Sequence, residues 1–170
     1  MFETTEDLVR RLETPGYLGS KDHKDRKHYD WETLVRPAHT DRYASIEQLE
    51  NLSKSIKQLY AKDMVLPKIG YTKHFDYSKG QVAASICGRN VIGFASWATP
   101  TVGIYLHEQA HLLNSFEKAK QYHPINGGHG PAFIGIVIDL YTKFAGANRE
   151  YLEHQARMLK VPFDYSDRPK

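Results

Sequence analysis

The residues with the clearest chemical potential are His107-Glu108-Gln109-Ala110-His111. In a helix, positions i and i+4 are turned by about 400°, so both imidazoles stand on one face roughly 6 Å apart along the axis. Both can then aim a nitrogen at one metal ion. Zinc accepts imidazole, favours four ligands, and in catalytic sites leaves one position to water. It lowers the pKa of that water to about 7, and Glu108, next to the first histidine, is placed to take the proton. Without a metal, the same three groups would form a buried polar cluster whose desolvation needs compensation.

A third ligand must come from elsewhere in the chain. Glu117, His123, His129, Asp139, Glu150 and His154 all lie downstream. A metzincin spacing would need glycine at 114 and histidine at 117, where the sequence has Asn114 and Glu117. A distant helical glutamate of the gluzincin kind would select Glu150 or Glu153, but the surrounding pattern is absent. His129 fits best, within Gly127-Gly128-His129-Gly130-Pro131 and directly before a helix. Glycines let the backbone turn closely around an ion. The positive end of the helix favours the neutral imidazole that a metal needs. His123 is the second choice as ligand, and His123 or Tyr122 could instead donate to a developing oxyanion. Asp139 and His154 read as outer or surface groups, and Cys87 as a small core residue.

These residues need a scaffold, and the hydrophobic pattern supplies one. Thr99 as cap and Pro100 as first residue would start a helix over 100–119. It is apolar nearly all round, hence buried. Ser45 and Gln48 match a capping box for an earlier helix ending near Asp63, with Ile46, Leu49, Leu52, Ile56 and Leu59 as its apolar stripe. Residues 65–72, 81–88 and 91–97 have strand composition, and their short gaps favour antiparallel pairing. Helices from Pro131 to about Ala145, with Gly146 at the cap, and from Asn148 to before Pro162 complete the pattern. The expectation is an α+β fold: a small antiparallel sheet of about three strands, helices on one face, and the HExxH on a buried helix. Residues 1–44 read as a partly helical extension, 45–164 as the hydrolase domain and 165–170 as a tail. The alternating charges of KDHKDRKHYDW (21–31) suggest a solvated surface segment.

Composition narrows the function classes. With 170 residues, 41% hydrophobic and 25% charged, the chain suits one ordinary globular domain. No apolar run approaches the roughly 20 residues of a membrane span, and the start lacks a secretory layout. A single cysteine excludes an internal disulfide, so a cytoplasmic location is expected. A net charge of +3 is too small to argue for nucleic acid, although the basic 21–28 stretch leaves such a contact open.

HEQAH followed by GGHGPAF resembles the SprT-like or Spartan-type zinc metallopeptidases, through His107, Glu108, His111, His129, Gly130, Pro131 and Phe133. A closer similarity is to small actinobacterial and phage HExxH metallohydrolases, whose early Arg-Tyr segment and Trp-Ala pair resemble Arg26-Lys27-His28-Tyr29 and Ser96-Trp97-Ala98. The likeness covers about residues 88–145. It implies a zincin-like fold, one zinc ion on His107, His111 and His129, Glu108 as catalytic base, and a peptide or protein substrate. In zincins generally, the strand before the active helix pairs with extended substrate, which points to Val91, Ile92, Phe94 and Trp97. Spartan-type proteins often add a cysteine-rich zinc module or a DNA-binding tail; neither is expected here, so DNA recruitment is not carried over. The reading is a zinc-dependent metallopeptidase. The alternatives are a zinc amidase or other hydrolase of a non-protein substrate, and a non-catalytic module stapled by zinc. Glu108 argues against the last, because a purely structural pair does not need it.

Overall fold

A computed structural model describes residues 23–39, 42–72, 82–120 and 129–165. In chain order the elements are α1 (His23–His39), α2 (Ile46–Tyr60), β1 (Lys68–Thr72), β2 (Ala83–Ile86), a short 3-10 turn (Cys87–Arg89), β3 (Val91–Ala95), α3 (Val102–Lys120), α4 (Pro131–Phe144) and α5 (Arg149–Met158). Together they form an α+β domain with a small three-stranded sheet. Among the described residues no helix is long and apolar enough to cross a membrane.

Local chemistry sets most helix ends. Ser45 and Gln48 form the reciprocal capping box, at 2.8 and 3.2 Å. Asn148 caps α5 by accepting from the Tyr151 amide at 3.0 Å. Gly146 follows α4 at φ +72°, the left-handed position that favours glycine. The start of α3 differs from expectation. Thr101, not Thr99, accepts from the Ile104 amide at 3.3 Å, and Pro100 stays outside the helix. On α2, Leu49, Ser53, Ile56 and Tyr60 are buried, while Leu59 is exposed.

The sheet is mixed, not an antiparallel meander. Its order is β1-β3-β2, with β1 parallel and β2 antiparallel to β3. Each gap is short, but the β1-to-β3 connection is not. It runs through residues 73–90 and contains β2, which gives it the length a parallel crossover needs. Strand β3 is therefore central, and its residues from Ile92 to Ala95 are all buried, as expected for a strand covered on both faces.

A second difference lies in α1. The stretch expected as a solvated segment is helical, and His28, Trp31, Glu32 and Val35 are buried on one face. They sit at i, i+3, i+4 and i+7, the spacing of a single helical stripe. Trp31 is fully buried and donates from Nε1 to the Leu152 carbonyl of α5 at 3.1 Å. The charged neighbours hide this stripe because their alternation dominates the sequence.

The C-terminal stretch closes over α4. The Asp164 amide donates to the Pro131 carbonyl at 2.9 Å. A Cβ on Gly135 would lie 1.9 Å from the Asp164 carbonyl oxygen, far inside contact distance. Backbone, not a flexible side chain, is the obstacle. Gly135→Ala is therefore expected to destabilise the fold by about 1–3 kcal/mol, as overpacking does, readable as a lowered midpoint in urea. An unchanged midpoint would contradict this close approach.

Candidate metal centre

Helix α3 is buried along most of its length, and it presents His107 and His111 from successive turns. Their Nε2 atoms lie 3.2 Å apart. Two nitrogens bound to one tetrahedral ion at about 2.0–2.1 Å would be about 3.3 Å apart. The pair is thus spaced as two ligands of one ion.

What fixes His107 is Glu32 on α1. His107 Nδ1 lies 2.8 Å from Glu32 Oε2, so the proton belongs on Nδ1 and Nε2 keeps its lone pair. A carboxylate behind a ligating histidine is the usual means of holding its tautomer and raising its basicity. Glu32 is fully buried and well supplied with partners. Oε1 accepts from the Tyr141 hydroxyl of α4 at 2.7 Å, and Oε2 accepts from Arg36 at 3.3 Å. Burial opposes its charge, but His107 and Arg36 outweigh burial and hold the carboxyl well below its ordinary range. In return, against the opposing effect of burial, Glu32 raises the pKa of His107. His111 is different. Burial, then the neighbouring His107 and His129, push it down to about 3, which keeps it neutral and available as a donor.

The third side comes from the entry to α4. His129 precedes the Gly130 N-cap and Pro131. Its ring centroid is 4.8 Å from that of His111 and 5.3 Å from that of His107. Phe133, one turn into α4, packs beneath all three rings at 4.4–5.2 Å. A further histidine joins from α1. His28 stacks on His129 at 4.1 Å, and His28, His107 and His129 offer ligand atoms within 4.8 Å of one another. The result is a buried cluster of imidazoles backed by a carboxylate and able to coordinate a metal ion.

Glu108 is apart from this carboxylate. It lines a cleft of about 440 Å³ together with His107, His111, His129, Tyr29, Cys87, Asn114, Ser115 and Ala83 to Ser85 of β2. Burial raises its pKa against the pull of His107 and hydrogen bonds from the Ser85 side chain and backbone. An upward shift is the direction that makes a carboxylate a stronger proton acceptor.

The other residues singled out by sequence fall as follows. Tyr122 and His123 lie outside the described residues, as does the side chain of Glu117. Asp139 is buried but bound to Arg149, away from the cluster. Glu150 and His154 are exposed on α5. Cys87 is not a core residue. It is exposed in the turn after β2, with Sγ 3.7 Å from the His111 carbonyl. Val91, Ile92 and Phe94 cannot form a substrate edge, because β3 is paired on both sides. Trp97 lies beyond the end of β3 and is 46% exposed. Among the described strands, the one at the cleft is β2, which lies at the edge of the sheet. Glu32, His28 and Tyr29 were not foreseen as site residues; the signals were the resemblance of Arg26-Lys27-His28-Tyr29 and, for His28 and Glu32, the helical spacing with Trp31 and Val35.

Compared with protein-family models, curated proteins and solved structures, the chain matches none of them.

Two outcomes follow. Glu32→Gln keeps the shape of the side chain but removes its charge, and is expected to weaken metal binding about 10–100-fold, the range for losing an outer partner of a ligating histidine. Competition with a chromophoric chelator reads this, and unchanged affinity would remove Glu32 from the centre. The metal-free protein should also lose stability in acid. With His111 held at about 3 in the folded chain and about 6.5 when unfolded, the unfolded state takes up the proton first. Stability then falls as pH drops from about 6.5 toward 3, and the depressed Glu32 acts in the same direction below its unfolded value. The raised His107 has the opposite sign: its contribution is full below its unfolded value and is lost as pH rises through its folded one. Urea midpoints of metal-free protein across this range check the acid limb, and a flat profile would contradict it.

Proposed function

We propose that the chain is a zinc-dependent hydrolase of the metallopeptidase type, with His107, His111 and His129 as ligands and Glu108 as catalytic base. The observation that carries this reading is the division of labour between two carboxylates. Glu32 stands behind a ligand, whereas Glu108, itself buried, lines the cleft together with His107, His111 and His129. A structural site needs the first and has no use for the second. The all-imidazole donor set suits zinc better than a hard, oxygen-seeking cation. The order of HEQAH, then GHGPAF, is also that of SprT-like peptidases, and supports a zincin-type assignment.

Bound zinc supplies Lewis acidity and a water of lowered pKa. Glu108 takes the proton of the attacking water and passes it to the leaving amine. The hydrogen bonds from Ser85 hold that carboxylate against β2. Tyr29 lines the cleft with its ring 5.1 Å from that of His129. It is therefore the described side chain best placed to donate a hydroxyl to the oxyanion, the role first considered for Tyr122 and His123. β2 has β3 on one side only among the described strands. An extended peptide adding to its outer edge would lie along Ala83 to Ser85, at the cleft. This open strand edge favours a peptide over a small non-protein amide.

The test is cleavage of an unfolded protein by zinc-loaded material. Glu108→Gln should lower kcat about 10²–10⁴-fold with zinc retained, as loss of a general base does. Tyr29→Phe should lower kcat about 10²-fold with little change in KM, as for loss of one oxyanion donor. Full activity in Glu108→Gln would exclude this mechanism. Hydrolysis of small amides with no peptide cleavage would move the substrate to the non-protein class.

A further inference from the structure

Helix α3 carries one more polar group on its ligating side. Asn114 stands at i+7 from His107 and i+3 from His111, so all three share one face of the helix. It lines the cleft with them, next to Ser115. Asn114 is 4% exposed, yet its side chain makes no hydrogen bond among the described residues. Nor do its amide atoms belong to the unpaired groups sealed from solvent. The small surface left to Asn114 is therefore on the cleft wall. A carboxamide stripped of most of its water and given no protein partner is costly. At a cleft, a bound ligand can supply the partner it lacks.

We propose that Asn114 binds substrate, holding the main chain of an extended peptide about two residues from the cleaved bond. This rests on the peptidase reading above and deepens it. Two contacts set the direction. Ser85 bonds to Glu108, and Cys87 Sγ lies 3.7 Å from the His111 carbonyl, so β2 and the turn after it advance along α3 in the same sense. A peptide added to the outer edge of β2 would pass the histidine pair and then reach Asn114. Asn114 lies roughly 7.5 Å along the helix axis from the midpoint of that pair, and an extended chain rises about 3.3 Å per residue. A carboxamide offers both donors and an acceptor, so it matches the C=O and N–H of a main chain whatever its side chains. The cleft then selects extended main chain and is indifferent to sequence, which makes unfolded polypeptide its substrate class.

The test uses full-length, zinc-loaded protein and unstructured peptides built around one cleaved bond and trimmed from either end. Asn114→Leu keeps the size of the side chain and removes its polar atoms. Asn114→Ala repeats the comparison with a smaller group, in case leucine distorts the helix. On long peptides both variants are expected to raise KM about tenfold with kcat little changed, the mark of lost uniform binding and about the worth of one or two neutral hydrogen bonds. The difference from wild type should vanish for peptides trimmed, on one side only, too short to reach Asn114. A folding defect would instead lower activity at every length alike. Binding gives a readout free of turnover. By fluorescence anisotropy, a fluorescein-labelled long peptide should bind the double variant Glu108→Gln, Asn114→Leu about tenfold more weakly than Glu108→Gln alone. Equal KM and equal affinity with and without Asn114, or the same loss at every length, would overturn its role and leave the peptidase reading standing. Wild type that neither cleaves nor binds any peptide would overturn both. Length-dependent binding that needs Asn114, in a protein that cleaves nothing, would uphold the residue and reject only the peptidase chemistry.

Discussion

The buried carboxylate of Glu32 ties the centre to the fold. It reaches His107 on α3, Tyr141 on α4, and Arg36 and His28 on its own helix. An ionised carboxylate at full burial is tolerated only if paired and hydrogen-bonded. Three helices must therefore be in register for this one group to be satisfied. The same contacts hold the ligating face of His107 in its orientation. Packing and site geometry are thus one constraint: α1 cannot shift without leaving an uncompensated charge in the core. Trp31 reinforces this, because it pins α1 to α5 through Leu152.

The second constraint concerns the sheet. β2 is short and lies at an edge, next to α3. It brings Ser85 to Glu108, so the cleft carboxylate, carried by α3 beside His107, is also held by a strand. The cleft lies where α3 and β2 meet, and Tyr29 and Cys87 of the 3-10 turn also line it.

Much of this was legible in the sequence, and the reasons are specific. The i, i+4 spacing of His107 and His111 puts them on one helical face whatever surrounds them. The glycines around His129 and the proline after it mark a helix start. Capping residues located α2 and α5. The mixed sheet was not legible, because gap lengths between successive strands say nothing about a strand inserted between two earlier ones. Nor was the role of α1. His28 and Glu32 sit in a run of charges whose alternation resembles a solvated surface, and only the company of Trp31 and Val35 at helical spacing distinguishes it. A buried carboxylate is specified by partners far along the chain, here His107 and Tyr141, and no local pattern announces such partners.

Metal content tests the central claim most directly. Elemental analysis of purified wild type and His129→Ala, each supplied with zinc and then freed of excess, would decide it. One zinc per chain is expected in wild type and a clear loss in His129→Ala, with both proteins folded by circular dichroism. Folded wild-type protein without stoichiometric metal would contradict it and leave the imidazoles as a buried polar cluster organised by Glu32.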